Sequence, residues 1–273
     1  GNIIFSNPNG FHFGPQANVQ AAGLIVSTHA VSNADFLGGK YLFAGVPTGV
    51  PSRGSILNEG NIAVSRGGMA VFIADAIENR GVIAAPAGTV ALAAGNRDTV
   101  ALSANRMIAV AIDGDTAAKI LDVNGNPVSD QVKNTGTLEA QGGTVLLNAR
   151  AMDQVYESAI NLEGLVRANA FEVGESGKIR IVANGPVKVG AVLEARGGSI
   201  DVESEKRIEI QGPTVTRGAT SFNSRGDIAV NADAGNLPPV ITSLTASPAS
   251  VAAGGTSSIS VVASDSADKT PLS

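Results

Sequence analysis

The chain has 273 residues, of which 44% are apolar, enough for one elongated domain or one domain with a small module beside it. A net charge of −5 with only 16% charged residues leaves no basic face dense enough to neutralise phosphates, which excludes nucleic acid as a partner. The absence of cysteine excludes disulfides, thiolate metal sites and cysteine nucleophiles, and no run of roughly 18 apolar residues is present to form a membrane-spanning helix.

The apolar mass is unusual in kind. There is no Trp, only 2 Tyr and 8 Phe, and 33 Gly are spread along the whole length. Small and β-branched side chains suit the interior of stacked sheets, and frequent Gly supplies the turns between short strands.

In chain order, Gly1-Asn2-Ile3-Ile4-Phe5-Ser6 reads as a strand already under way, with no signal peptide before it, so the precursor is expected to extend upstream. Asn7-Pro8-Asn9-Gly10 fits a type I turn: a side-chain acceptor at Asn7, proline setting φ at the second position and glycine closing the fourth. Beyond it two units recur. One is Asn-x-Gly-x-aliphatic, at Asn58 to Ile62, Asn79 to Ile83 and Asn134 to Leu138, with a looser copy at Asn161 to Leu165. The other is Gly, a polar residue, then aliphatics, at Gly88 to Leu92, Gly143 to Leu147, Gly177 to Ile181, Gly198 to Val202 and Gly226 to Val230. Each is a turn followed by a short strand.

The interval from Asn58 to Asn79 recurs from Gly177 to Gly198, which is the mark of a β-solenoid whose coils bury their apolar faces only by stacking. About ten to twelve coils are expected over residues 1–235, giving a solenoid around 50 Å long at roughly 4.8 Å per coil. Val90, Leu92, Val145, Leu147, Ile179, Ile181, Ile200 and Val202 should point inward.

Between Asp113 and Lys133 the pattern lapses, and Asn124-Gly125 between apolar flanks predicts a protruding hairpin. Apolar residues at helical spacing, Met152, Val155, Tyr156, Ala159 and Ile160, predict a short helical turn within Ala149 to Ile160. A linker at 236–239 contains Pro238 and Pro239. Residues 240–273 then read as the opening strands of an incomplete β-sandwich that should pack little against the solenoid.

Candidate chemistry is sparse. Catalysis by histidine has only His12 and His29 to draw on; both are expected to be surface or loop residues. Asp201, Glu203 and Glu205 alternate with Ile200, Val202 and Ser204, so they share the solvated face of a strand rather than forming a lyase centre. Asp113-Gly114-Asp115, and Asp265 with Asp268, lack the ligand spacing of known calcium loops. No catalytic residue, cofactor or metal site is expected, and the chain is read as not an enzyme.

Asn7-Pro8-Asn9-Gly10 followed by Phe13-Gly14, the segment Gly23 to Thr28, and the paired repeats from Asn58 to Gly95 together resemble the haemagglutination-activity, or two-partner-secretion, domain of filamentous-haemagglutinin-like exoproteins. The resemblance covers residues 1 to about 235. It implies a right-handed parallel β-helix, lacking here the upstream section that forms its N-terminal cap, and it assigns Asn7, Pro8, Asn9 and Gly10 to a secretion motif. It also implies a partner, an outer-membrane β-barrel transporter with periplasmic POTRA domains, and a protein exported through the periplasm to the cell surface or medium. Phe11 departs from the aliphatic residue usual after the turn. The tail resembles a bacterial immunoglobulin-like or PKD-type module. A surface adhesin that contacts host-cell or bacterial receptors is the leading reading; a stalk for a contact-dependent toxin and a polysaccharide-active β-helix enzyme are the alternatives.

Overall fold

In a computed structural model of the protein, the described residues are 2–38, 41–44, 54–102, 108–122, 124–170, 177–216 and 219–230, with the backbone of 240–247 and 258–264. They form a parallel β-helix with three sheets. The first runs through Asn2–Ser6, Gly23–Ser27, Met69–Ala74, Thr89–Ala94, Thr144–Ala149, Lys178–Ala183, Ser199–Ser204 and Thr220–Ser224. The second stacks Phe11–Phe13, Ser55–Asn58, Ala76–Asn79, Asp130–Asn134, Ser158–Leu162, Val187–Val189, Ile208–Ile210 and Ile228–Val230. The third stacks Asn18–Ala21, Asn61–Val64, Val82–Ala84, Thr137–Glu139, Leu165–Arg167, Val192–Ala195 and Thr214–Thr216.

Stacking in register turns the alternation of each strand into continuous aliphatic columns. Val90 pairs with Val145, which pairs with Ile179, which pairs with Ile200; Leu92, Leu147, Ile181 and Val202 form the next column. All eight are fully buried, as their alternation predicts. At the first rung the inward positions Ile3 and Phe5 remain 39% and 42% exposed, since among the described residues no strand pairs with the outer edge of Asn2–Ser6. Phe11 continues a run of ring contacts from Phe5 through Phe13 to the buried Phe72.

The described rungs number eight, fewer than expected, which sets the solenoid at about 34 Å from first to last strand. Residues expected in extra coils instead leave the solenoid. Ala30–Val31, Tyr41–Ala44, Arg97–Leu102 and Ile108–Gly114 build an outer antiparallel sheet, with a helix at Asn33–Leu37 capped by the Ser32 side chain. Phe43, Val100 and Val110 of this sheet pack on Ile25, Val71, Ile73, Ala91 and Ala93, the outward apolar positions of the first sheet. That face would otherwise be an exposed greasy patch.

The hairpin predicted around Asn124-Gly125 is present: Leu121 bridges Pro127, the Gly125 N–H donates to Asp122 O, and Gly125 has φ +85°. Val123 of that segment lies outside the described residues. The helical turn predicted within Ala149 to Ile160 is not formed. Gln154 takes φ +67°, Val155 packs inward, and Ala159 and Ile160 belong to the Ser158–Leu162 strand. The apolar spacing there combines an exposed Met152, a buried Val155, a Tyr156 whose hydroxyl donates to Asp75 O, and two residues of a strand, rather than one helical face.

At the far end, Val240–Ser247 and Ser258–Ser264 pair as an antiparallel hairpin, and the second of these extends the first sheet from Thr220–Ser224 through Phe222 opposite Ile259. This differs from a tail independent of the solenoid, and among the described residues the hairpin faces no second sheet of a sandwich. The linker 236–239 lies outside the described residues.

Candidate functional site

The Asn7-Pro8-Asn9-Gly10 segment turns the first corner of the β-helix, between Asn2–Ser6 and Phe11–Phe13. Asn7 Oδ1 accepts from the Asn9 N–H at 3.1 Å, the Gly10 N–H donates to Asn7 O at 3.1 Å, and the Asn7 N–H donates to Ser27 O at 3.0 Å in the rung below. Gly10 sits at φ +96°, a conformation that glycine adopts without strain. The turn therefore closes through both the backbone carbonyl and the side chain of Asn7. Residues Asn7, Pro8 and Asn9 are exposed, so the corner presents the Asn9 amide outward.

A second arrangement was not foreseen. His29, expected to be a surface or loop residue, lies in a bend between strands but is 1% exposed, with Nδ1 3.0 Å from Asp98 Oδ2 and Nε2 3.7 Å from Asp75 Oδ2. The three residues come from three places: the bend after Gly23–Ser27, the Arg97–Leu102 strand of the outer sheet, and the turn after Met69–Ala74. Burial works against a charged ring, but the two carboxylates outweigh it and the His29 pKa is pushed up to about 9. Burial also raises Asp98, to about 6, against the pull of His29. Both directions agree that the folded cluster holds protons more tightly than the unfolded chain. Thr116 Oγ1 donates to Asp75 Oδ1, and the Tyr156 hydroxyl donates to Asp75 O at 3.0 Å, which closes the cluster from the other side.

The TPS (two-partner secretion) secretion domain family matches residues 1–176. This chain belongs to that family. As a TPS secretion domain it is part of a protein exported by two-partner secretion, in keeping with the resemblance carried by its turns and repeats. Among solved structures it is similar to the secretion domain of HMW1 from Haemophilus influenzae, with a TM-score of 0.63 and 22% identity over 85% of this chain and 57% of that one. At that identity the likeness establishes the parallel β-helix fold; the chain spans little more than half of the HMW1 domain's length. No curated protein matches it.

The remaining candidates of this TPS domain are surface features. His12 is exposed, its Nε2 2.8 Å from Glu59 Oε2. Asp201 lies 3.8 Å from Lys178 Nζ, Glu203 3.4 Å from Arg180 and Glu205 3.8 Å from Arg225, so each carboxylate is matched by a cation of a neighbouring rung. Asp113 accepts from Thr99 Oγ1, and Asp115 pairs with Arg150 at 2.8 Å. Asp265 and Asp268 lie outside the described residues. Among the described residues no helix is long and apolar enough to cross a membrane, and no group of three or more acidic and histidine side chains could hold a metal.

Proposed function

We propose that residues 1–235 are the export-directing part of a bacterial surface adhesin, recognised by an outer-membrane β-barrel transporter with POTRA domains, and that the Asn7-Pro8-Asn9-Gly10 corner belongs to the recognised surface. Membership of the TPS secretion domain family carries this reading. The corner's geometry supports its part. Asn7 is occupied within the turn, whereas the exposed Asn9 side chain stands on a hydrogen-bonded corner where a partner can read it. Contacts with host-cell or bacterial receptors would follow from parts of the protein that the transporter delivers to the surface.

The test is secretion of the complete precursor beside its transporter. Asn9→Ala is expected to lower the amount in the medium severalfold while the purified domain keeps its melting temperature, since an exposed turn substitution that breaks no bond costs within about 0.5 kcal/mol. Asn7→Ala should lower secretion and also loosen the turn. Unchanged secretion of Asn9→Ala would remove the corner from the recognised surface.

A further inference from the structure

The outer antiparallel sheet is joined to the β-helix by an apolar contact, by the hydrogen bond from Asn148 Nδ2 to Val110 O, and by the His29 cluster, which brings a histidine and two carboxylates together in the buried seam. We propose that His29 is a proton-operated latch: its imidazolium, clamped between Asp75 of the solenoid and Asp98 of the outer sheet, fastens that sheet over the apolar outer face of the first sheet, and loss of the proton releases it.

The geometry carries this. Asp98 is 0% exposed and reaches the ring at 3.0 Å, while Asp75 stands 3.7 Å from the opposite nitrogen. With the ring charged, one cation faces two anions. With the ring neutral, two buried carboxylates face each other across a weak donor, in surroundings where an uncompensated charge is costly. Asp113, on Ile108–Gly114, adds a further negative field at Asp98, and Tyr156 faces Asp75 from the loop before Ser158–Leu162. The other groups packed on the cluster, Thr116 and Gln131, are neutral. Burial raises the tyrosine hydroxyl far above its ordinary range, so it does not compete for the transition.

The sign follows from linkage. A histidine whose folded pKa is raised contributes stability that is complete below about 6.5 and is lost as pH climbs through about 9. Asp98, also raised, shifts stability in the same sense between about 4 and about 6. Alkaline conditions should therefore loosen the outer sheet first. Release would uncover Ile25, Val71 and Ile73, which are fully buried beneath it.

Hydrogen exchange of the 273-residue chain between pH 6 and pH 10, corrected for the intrinsic pH dependence of exchange, tests the latch. Protection of residues 41–44, 97–102 and 110–114 should fall on the order of tenfold or more above neutrality, while 144–149 and 178–183 keep theirs. In His29→Gln the outer sheet should be weakly protected at every pH, with no transition. If that variant does not fold, Asp98→Asn leaves the ring a single carboxylate, and the transition should move to lower pH. A wild-type outer sheet whose protection does not vary with pH, a transition that survives in His29→Gln, or an unmoved midpoint in Asp98→Asn would each overturn the proposal.

Discussion

Asn79 bonds the rungs on both sides of it. Its Oδ1 accepts from Asn58 Nδ2 at 2.8 Å, and its own Nδ2 donates to Asn134 Oδ1 at 2.7 Å, in a column that is fully buried. The repeat that marks these three asparagines was legible as a turn unit. Its axial role was not, because the bonds join residues 21 and 55 positions apart. Asn79→Ala should cost about 2–4 kcal/mol in urea unfolding, since it strands polar groups on both neighbours. A cost near zero would show that water replaces the ladder. His29 was misread for the same reason: Asp98 is 69 positions away, and nothing local to a lone histidine announces a distant carboxylate.

Glycine has two separate jobs in these elements. At Gly10 it supplies a positive φ, whereas at Gly88 the backbone is ordinary and the constraint is space: a β-carbon there would run into the Gly68 carbonyl oxygen, and one at Gly143 would run into that of Gly88. Columns of glycine thus let turns of successive rungs approach backbone to backbone. Gly88→Ala is expected to destabilise by about 1–3 kcal/mol through overpacking, read as a lower unfolding midpoint. A neutral effect would mean that the rungs can part locally without penalty. The Gly-polar-aliphatic unit made these strands and their inward residues legible. The outer sheet was not, because an antiparallel strand such as Arg97–Leu102 has the same length and alternation as a rung strand.

For the whole molecule, periodicity gave the architecture but not the coil count, since the described strands between Ser27 and Ser55, and again those between Ala94 and Asp130, lie outside the solenoid, and the rung strands that follow pair in register. The terminal hairpin covers the edge of Thr220–Ser224. Deleting residues 240–273 should expose that edge, and light scattering should then show concentration-dependent association, because unpaired strand edges template further pairing. A truncated chain that stays monomeric would show that the last rung protects itself.

The ladder hydrogen bonds between rungs lie along the solenoid axis, and within the three sheets each described rung strand pairs only with the strand before and the strand after. Under tension applied at its two ends, such a body does not resist as a block. The load falls on a single terminal rung at a time, so the rungs that the outer sheet does not tie together should peel open in small successive steps at low force, and wind back in the reverse order when the pull is relaxed.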